Sequence, residues 1–339
     1  MVGAGVVAGV HLEALSGTDA VELVGIFDVD QAKARERATA NNIPRVYASW
    51  AELLADDAVQ CVAVLLPHDL HEQFTVEALQ AGKHVVCEKP LGQSIAEMDR
   101  MLKAADEAGR VLLPVHNRVY SHSLEKLHEI VTSGAIGEVI LAQTTGFEGP
   151  KTVSVRPWLA TKRGGGGVLI AQAVHPAYAL RWMLGDVAPV SCQFGDLKVV
   201  EMTNEDTAVV TLKFASGAVA TMTATFGIAH GPFEHSIVLH GREGYAQLGV
   251  RTRNPEQRFG LQVISPKLFG DTDLHDIEVP TPDTPPISFR RMWQDYATGL
   301  SDDLPTRMTG VDGKRAVEII LAAYESNATG RTVTLPLSG

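Results

Sequence analysis

Three groups of residues in this chain have the types and spacing to do chemistry. The first is a histidine, His175, which closes the run GGGGVLIAQAVH at residues 164–175. An imidazole can take or give a proton near neutral pH, and it works best when a second group orients it. One helical turn earlier, where a side chain would share its face, stands Ala171, which offers no polar group. The glycines permit close approach of backbone to a ligand, which favours a site. The apolar run favours a packed histidine with a buried partner. Pro176 disfavours helical angles at the residue before it, so the sequence predicts a kink or a restart at His175.

The second group is Glu88, Lys89 and Pro90 in AGKHVVCEKPLGQS. Ligands of open α/β sheets lie beyond the carboxyl ends of the strands. A lysine there, partly buried and near positive charge, has a lowered pKa and can handle a hydroxyl proton. Position alone fits a solvated loop lysine equally well. The third group opens the chain, MVGAGVVAGVHLEAL, with Gly3, Gly5 and Ala8 spaced G-x-G-x-x-A. In a dinucleotide-binding turn the first glycine makes the bend and the second lets the backbone approach a pyrophosphate. The following helix N-terminus supplies N–H groups and partial positive charge. An acid should follow about twenty residues on. Asp28 does, at the end of LVGIFD, and its carboxylate can accept both hydroxyls of an adenosine ribose. A carboxylate there repels a 2′-phosphate and favours NAD, with NADP possible because Lys33 and Arg35 lie just beyond.

The elements that position these groups follow from periodicity. VQCVAVLLP and KHVVCEKP are continuous apolar strands, as expected when both faces of a parallel sheet are covered. Helical stretches separate them, two opened by capping boxes, Ser49 with Glu52 and Ser94 with Glu97. Strand and helix alternate to about residue 118, which predicts a doubly wound parallel sheet. Only Met1 and Val2 precede Gly3, so the first strand reads as truncated, leaving its neighbours without ladder partners and implying a natural start further upstream. After residue 118 the pattern changes. DTAVVTLKFASGAVATMTATF and HSIVLHGREGYAQLGV are hairpins turning at Ser216–Gly217 and Glu243–Gly244. They predict an antiparallel sheet in a second domain, 119–339. Segment 270–288 reads as a surface loop, followed by helices near 288–300 and up to Gly330.

With 40 acidic against 29 basic residues the formal charge is −11, which disfavours nucleic acid as a partner. The three cysteines, Cys61, Cys87 and Cys192, form no CxxC and fit reduced thiols in a cytoplasmic protein. No apolar run is long enough for a membrane span. No His/Cys/Asp cluster has metal-ligand spacing, so no metal is expected. Lys162 and Arg163 fit a substrate carboxylate or, more plainly, a solvated basic pair.

The marks GAGVVAGVH, LPHDLH, ALQAGKHVVCEKPL, SGAIGEV, GGGGVLIAQAVH and AAYESNATGRTVTLP resemble the glucose–fructose oxidoreductase, inositol dehydrogenase and MocA family over nearly the whole chain. The resemblance implies an α/β Rossmann domain, then an α+β domain with an open, mostly antiparallel sheet through which relatives form homodimers or homotetramers. It implies a nicotinamide cofactor and a sugar, cyclitol or related polyol as substrate. By position it assigns cofactor contacts to Gly3, Gly5, Val7, Ala8, Asp28, Leu66, Pro67, His71, Glu88, Lys89, Asn117 and Trp158. It assigns substrate contacts to Lys89, Trp158 and His175, and acid–base work to Lys89 and His175. His116, ending the sixth strand, is a further polar neighbour for substrate.

The chain departs from the family pattern at Ala171, where relatives carry Asp, and at Leu159, where relatives often have Arg. Ala171 keeps two other functions open. One is a redox-neutral sugar-modifying enzyme with tightly held NAD, and the other is a non-catalytic dinucleotide sensor. The leading expectation is an NAD-dependent dehydrogenase acting on a secondary alcohol.

Overall fold

The computed structural model describes residues 1–154, 157–161, 165–195, 201–230, 234–250 and 260–337. They form two units. The first comprises Met1–Asn117 and Pro285–Lys314, the second Arg118–Thr284 and Arg315–Gly339.

The first unit begins with α1 (Val6–Leu15), β1 (Gly25–Ile26), α2 (Gln31–Ala40), β2 (Arg45–Val46) and α3 (Trp50–Ala55). It continues through β3 (Cys61–Val64), α4 (His71–Gln80), β4 (His84–Cys87), α5 (Ile95–Ala108) and β5 (Leu112–Pro114). All its strand pairings are parallel. The opening residues do more than the sequence reading expected. Val2 bridges Phe27 on one side and Val64 on the other. The amides of Val2 and Leu65 close bonds of 2.9 Å with the carbonyls of Ala63 and Val2, and those of Gly3 and Phe27 bond the carbonyls of Phe27 and Met1. Two residues therefore satisfy both neighbours and complete the order β2–β1–Val2–β3–β4–β5, the switch-point order of a Rossmann sheet. The centre is apolar on both faces: Val85, Val86 and Cys87 are fully buried, and each buried valine contributes about 1.5–3 kcal/mol.

The second unit holds α6 (His122–Thr132), β6 (Val139–Phe147), α7 (Lys151–Ser154), α8 (Val174–Leu184), β7 (Val187–Phe194), β8 (Thr207–Phe214) and β9 (Val219–Thr225). Then come β10 (Glu234–Gly241), β11 (Tyr245–Val250), β12 (Gly260–Ile264), α9 (Pro266–Phe269) and β13 (His275–Ile277). Both predicted hairpins form, β8–β9 and β10–β11. They belong to a sheet ordered β13–β12–β11–β10–β6–β9–β8–β7–β14, where β14 is Val333–Thr334. Among the described residues only the β6–β9 pair of this sheet is parallel. Alternation buries one face, as with Ala208, Val210, Leu212 and Phe214 on β8. The expected loop at 270–288 contains the edge strand β13.

The division at 118 differs from these units in one respect. Helix α10 (Pro285–Asp302) and the first turn of α11 (Gly310–Thr329) belong with the first unit. The reason is burial. Phe289, Met292, Trp293 and Tyr296 line one face of α10 at helical spacing and are all buried. Within that unit Trp293 bonds His11, and Tyr296 bonds the carbonyl of Pro114 at 2.5 Å.

Candidate functional site

The glycine turn has the shape its spacing requires. Gly3 has φ +96° and lies against the Leu65 carbonyl, where a Cβ would approach to 2.3 Å. Gly5 is the N-cap of α1 with no side-chain cap, and a Cβ there would meet nothing within 4 Å. The uncapped start of α1 thus has open space beside Gly5, which suits a pyrophosphate. Ala8 is fully buried and serves packing; Val7 is half-buried. Asp28 lies at the end of the second parallel run. One oxygen accepts the Ala4 N–H at 2.7 Å and the other the Asp30 N–H at 2.8 Å. Each oxygen keeps a lone pair for a ribose hydroxyl. These residues fit a dinucleotide.

The nearby cation is not one the sequence reading named. Lys33 is exposed and reaches Asp30 at 3.9 Å. Arg37, one turn further along α2, turns inward and donates to the carbonyls of Ala4 and Gly5, each at 3.3 Å.

Beyond β3 and β4, two loops are tied together by His71. Its Nδ1 and Nε2 lie 2.8 and 2.9 Å from the carbonyls of Pro90 and Leu66. A ring with a carbonyl at both nitrogens donates from both and is an imidazolium. Burial opposes that charge, but Cys87 and the two carbonyls outweigh it and raise the pKa to about 9. His71 is fully buried, so it shapes this rim from behind. Leu66 and Pro67 are half-buried on the rim itself.

Glu88 and Lys89 follow β4. The indole N–H of Trp293 donates to His11 Nδ1 at 3.0 Å, and an indole can only donate. His11 therefore carries its proton on Nε2 and gives it to Glu88 Oε1 at 3.1 Å. The other Glu88 oxygen accepts the Lys89 amide at 3.1 Å. Burial pushes the Glu88 pKa up, but the hydrogen bond from His11 and the charges of Lys89 and His71 hold it below the usual carboxylate range. Lys89 is half-buried beside this fixed anion. His116 and Asn117 are buried after β5. The Asn117 amide donates to Ser288 Oγ at 3.0 Å, which ties it to α10.

In the second unit the helix carrying His175 is irregular just before it. It widens into a π turn over Leu169–Ala173 and runs on as α8. Pro176 accounts for the widening: it has no N–H for the carbonyl four residues back, and its ring crowds that carbonyl. His175 is helical and buried, and its Nδ1 lies 2.8 Å from Tyr178 Oη. Tyr178 also accepts the Arg118 amide at 3.2 Å. The sequence reading sought a carboxylate before His175 and missed this phenol after it, at i+3 on the same face.

Two glycines of the run, Gly166 and Gly167, lie against protein. A Cβ on Gly166 would lie 1.6 Å from the Leu159 carbonyl oxygen, and one on Gly167 would lie 2.5 Å from Glu205 Oε1. Trp158 is half-buried in the short turn Pro157–Ala160. Lys162 and Arg163 lie outside the described residues. A second polar cluster was also missed. Glu148, just after β6, lies 3.2 Å from His235 Nε2 on β10 and accepts the Thr152 hydroxyl at 2.8 Å. Burial pushes its pKa up, but these bonds and the charges of His235 and Arg118 bring it down to about 2. Among the described residues no group of three His, Cys, Asp or Glu side chains could hold a metal. No helix among them is long and apolar enough to cross a membrane.

Comparison with known proteins agrees with this geometry. Residues 1–116 match the model of an oxidoreductase family with an NAD-binding Rossmann fold, and residues 124–247 match the GFO/IDH/MocA C-terminal domain. The chain is 30% identical to an oxidoreductase of Rhizobium meliloti over 252 residues, 72% of this chain and 70% of that one. It is 28% identical to the myo-inositol 2-dehydrogenase of Thermotoga maritima over 248 residues, 72% of each chain. Among solved structures, GenD2 from gentamicin A biosynthesis in complex with NAD superposes with a TM-score of 0.83 at 28% identity, covering 99% of this chain and 95% of that one.

Proposed function

Because the chain belongs to the GFO/IDH/MocA oxidoreductase family, with an NAD-binding Rossmann fold in its first unit, we propose that it is an NAD-dependent dehydrogenase acting on a secondary alcohol of a sugar, cyclitol or glycoside. The observation that carries the reading is the uncapped N-terminus of α1 opening at Gly5 into free space, with Asp28 bonded to Ala4 beside it. Gly3, Gly5 and the first turn of α1 would hold the pyrophosphate and Asp28 the ribose, with Arg37 adding positive charge at the loop. A bound nicotinamide supplies the acceptor for hydride leaving the alcohol carbon. The anion of Glu88, fixed by His11 and the Lys89 amide, keeps Lys89 next to a counter-charge.

We assign proton handling to Lys89 and His175, with Trp158 and His116 as substrate neighbours. Neither site needs a carboxylate at 171 for alcohol oxidation, since an amine or an imidazole can carry the hydroxyl proton. The substrate class is supported by the relatives, one named for myo-inositol and one for gentamicin A biosynthesis. We also infer a cytoplasmic homodimer or homotetramer assembled through the outer face of the nine-stranded sheet, where Ile140, Val209 and Val219 remain 45–47% exposed.

The test is a panel of inositols, aldopyranoses, glycosides and sugar acids incubated with NAD and, separately, NADP, read as reduced cofactor formed. Turnover of a polyol with NAD, abolished in Lys89→Ala, is the expected result. Calorimetry that detects no binding of either dinucleotide to the folded protein would sink the proposal.

A further inference from the structure

We propose that Trp293 is a positioning residue for the Glu88–Lys89 turn: its indole N–H holds His11 neutral, so that the whole negative charge of Glu88 is left to act on Lys89. The proposal rests on the assignment of proton handling to Lys89 made above. It goes beyond that assignment by naming what sets the charge around the amine. Trp293, His11, Glu88 and Lys89 all belong to the first unit.

The argument starts from what each partner of the ring can do. An imidazole beside a carboxylate ordinarily gains a proton, because the opposite charge favours the imidazolium. That form needs an N–H on both ring nitrogens. At His11, Nε2 lies 3.1 Å from Glu88 Oε1, an acceptor, and carries the first proton. The second would have to sit on Nδ1. There the indole of Trp293 donates its own N–H from 3.0 Å. An indole nitrogen has no lone pair to offer, so a proton on Nδ1 would set two donors face to face. With Nδ1 engaged as an acceptor, the ring is a neutral donor to Glu88.

The surroundings hold this arrangement. His11, Trp293 and Glu88 are all buried, so bulk water competes poorly for the bonds. The His11 ring meets Phe289 at 4.7 Å and Trp293 at 5.8 Å, edge on to both, and those two residues stand one turn apart on α10. Of the charged groups nearby, Glu88 bonds the ring, while Lys89 and His71 act on Glu88. Arg290, also on α10, is turned to the Ala14 carbonyl at 3.3 Å, three residues further along α1. His71 shows the opposite case: a carbonyl at each nitrogen makes that buried ring a cation.

The chemical consequence lies in the field at Lys89. A carboxylate beside an imidazolium is a nearly neutral pair, whereas beside a neutral imidazole it keeps its full charge. The second Glu88 oxygen accepts the Lys89 amide at 3.1 Å, which fixes the anion against the residue that uses it. In alcohol oxidation the C–H electron pair leaves as hydride for the nicotinamide, and the O–H proton passes to the Lys89 amine. The undiminished charge of Glu88 favours the ammonium that results.

The experiment uses the full chain with 15N-labelled histidine and reads each ring's protonation from two-bond proton–nitrogen correlations, with His11→Gln identifying the His11 signals. Between about pH 6 and 8 the wild-type ring should stay neutral with its proton on Nε2, and in Trp293→Phe it should become an imidazolium. A wild-type ring that takes a second proton in that range overturns the proposal, even should the variant not fold. A variant ring that stays neutral overturns it too. A second arm needs a polyol found in the panel. With Glu88 neutralised by His11, the limb of the kcat/KM profile that reports Lys89 should move to lower pH by about one unit in Trp293→Phe. A loss of rate that leaves the limb in place marks a merely structural tryptophan and overturns the proposal. If no polyol is turned over, the proposed function fails while the spectra still decide this one.

Discussion

Gly167 and Glu205 compete for the same space: a Cβ on the glycine would lie 2.5 Å from the carboxylate Oε1. The carboxylate is there because that oxygen accepts the Leu169 amide at 2.9 Å and the Tyr324 hydroxyl at 3.0 Å, capping the start of the helix that bears His175. Gly167 also sits at φ +127°, a conformation L side chains rarely adopt. Gly167→Ala should therefore cost about 3 kcal/mol, read as a lowered melting temperature. Dinucleotide affinity, a property of the first unit, should be retained by calorimetry. An unchanged melting temperature would show that Glu205 yields freely.

Asp28 has two tasks, accepting the Ala4 amide and presenting lone pairs to a ribose. Asp28→Ser keeps a hydrogen-bonding group but removes the charge. NAD affinity should fall about tenfold or more, and NADP affinity should rise as repulsion of a 2′-phosphate disappears. Fluorescence titration with the two reduced cofactors measures both. If the NAD/NADP ratio does not change, the carboxylate is not at the ribose.

His71 makes stability depend on pH at the alkaline end. Its folded pKa of about 9 exceeds the ordinary 6.5, so its contribution is complete below 6.5 and is lost as pH rises through 9. The diagnostic interval is therefore pH 6.5 to 9. There denaturant melts should show wild type losing stability and His71→Leu, weaker throughout, showing a flatter profile. The full effect is at most about 3 kcal/mol.

Glu148 gives the acid counterpart. Its pKa drops from 4.5 to about 2, so its contribution is present above 4.5 and is lost as pH falls toward 2. Glu148→Gln should be less stable than wild type at neutral pH by up to about 3 kcal/mol. The gap should close on acidification through that interval. A gap that persists at low pH would mean the glutamine damages packing instead.

Much of this was legible from local pattern. Two-sided burial made the parallel strands continuous apolar runs, and Ser216–Gly217 and Glu243–Gly244 placed the hairpins. The glycine turn and Asp28 took the shape their spacing required. What escaped depends on partners distant in sequence. The apolar stripe of α10 announces burial but not against what, and only the fold pairs Trp293 with His11. Arg37 looked like any other cation on α2 until its side chain turned to the Ala4 and Gly5 carbonyls. Tyr178, three residues past His175, belongs to no motif that would mark it. At Gly166 and Gly167 the space beside the backbone holds protein, and sequence cannot tell that from space for a ligand.

The bond from Trp293 to His11 has a consequence for how the molecule can be divided. The two units interleave along the chain, one closing at Lys314 and the other only with the final segment. No single cleavage yields two self-sufficient pieces, and a fragment ending at Asn117 would leave the imidazole behind Glu88 without its indole. On a translating ribosome the nucleotide-binding half must wait, unfinished, until α10 has emerged.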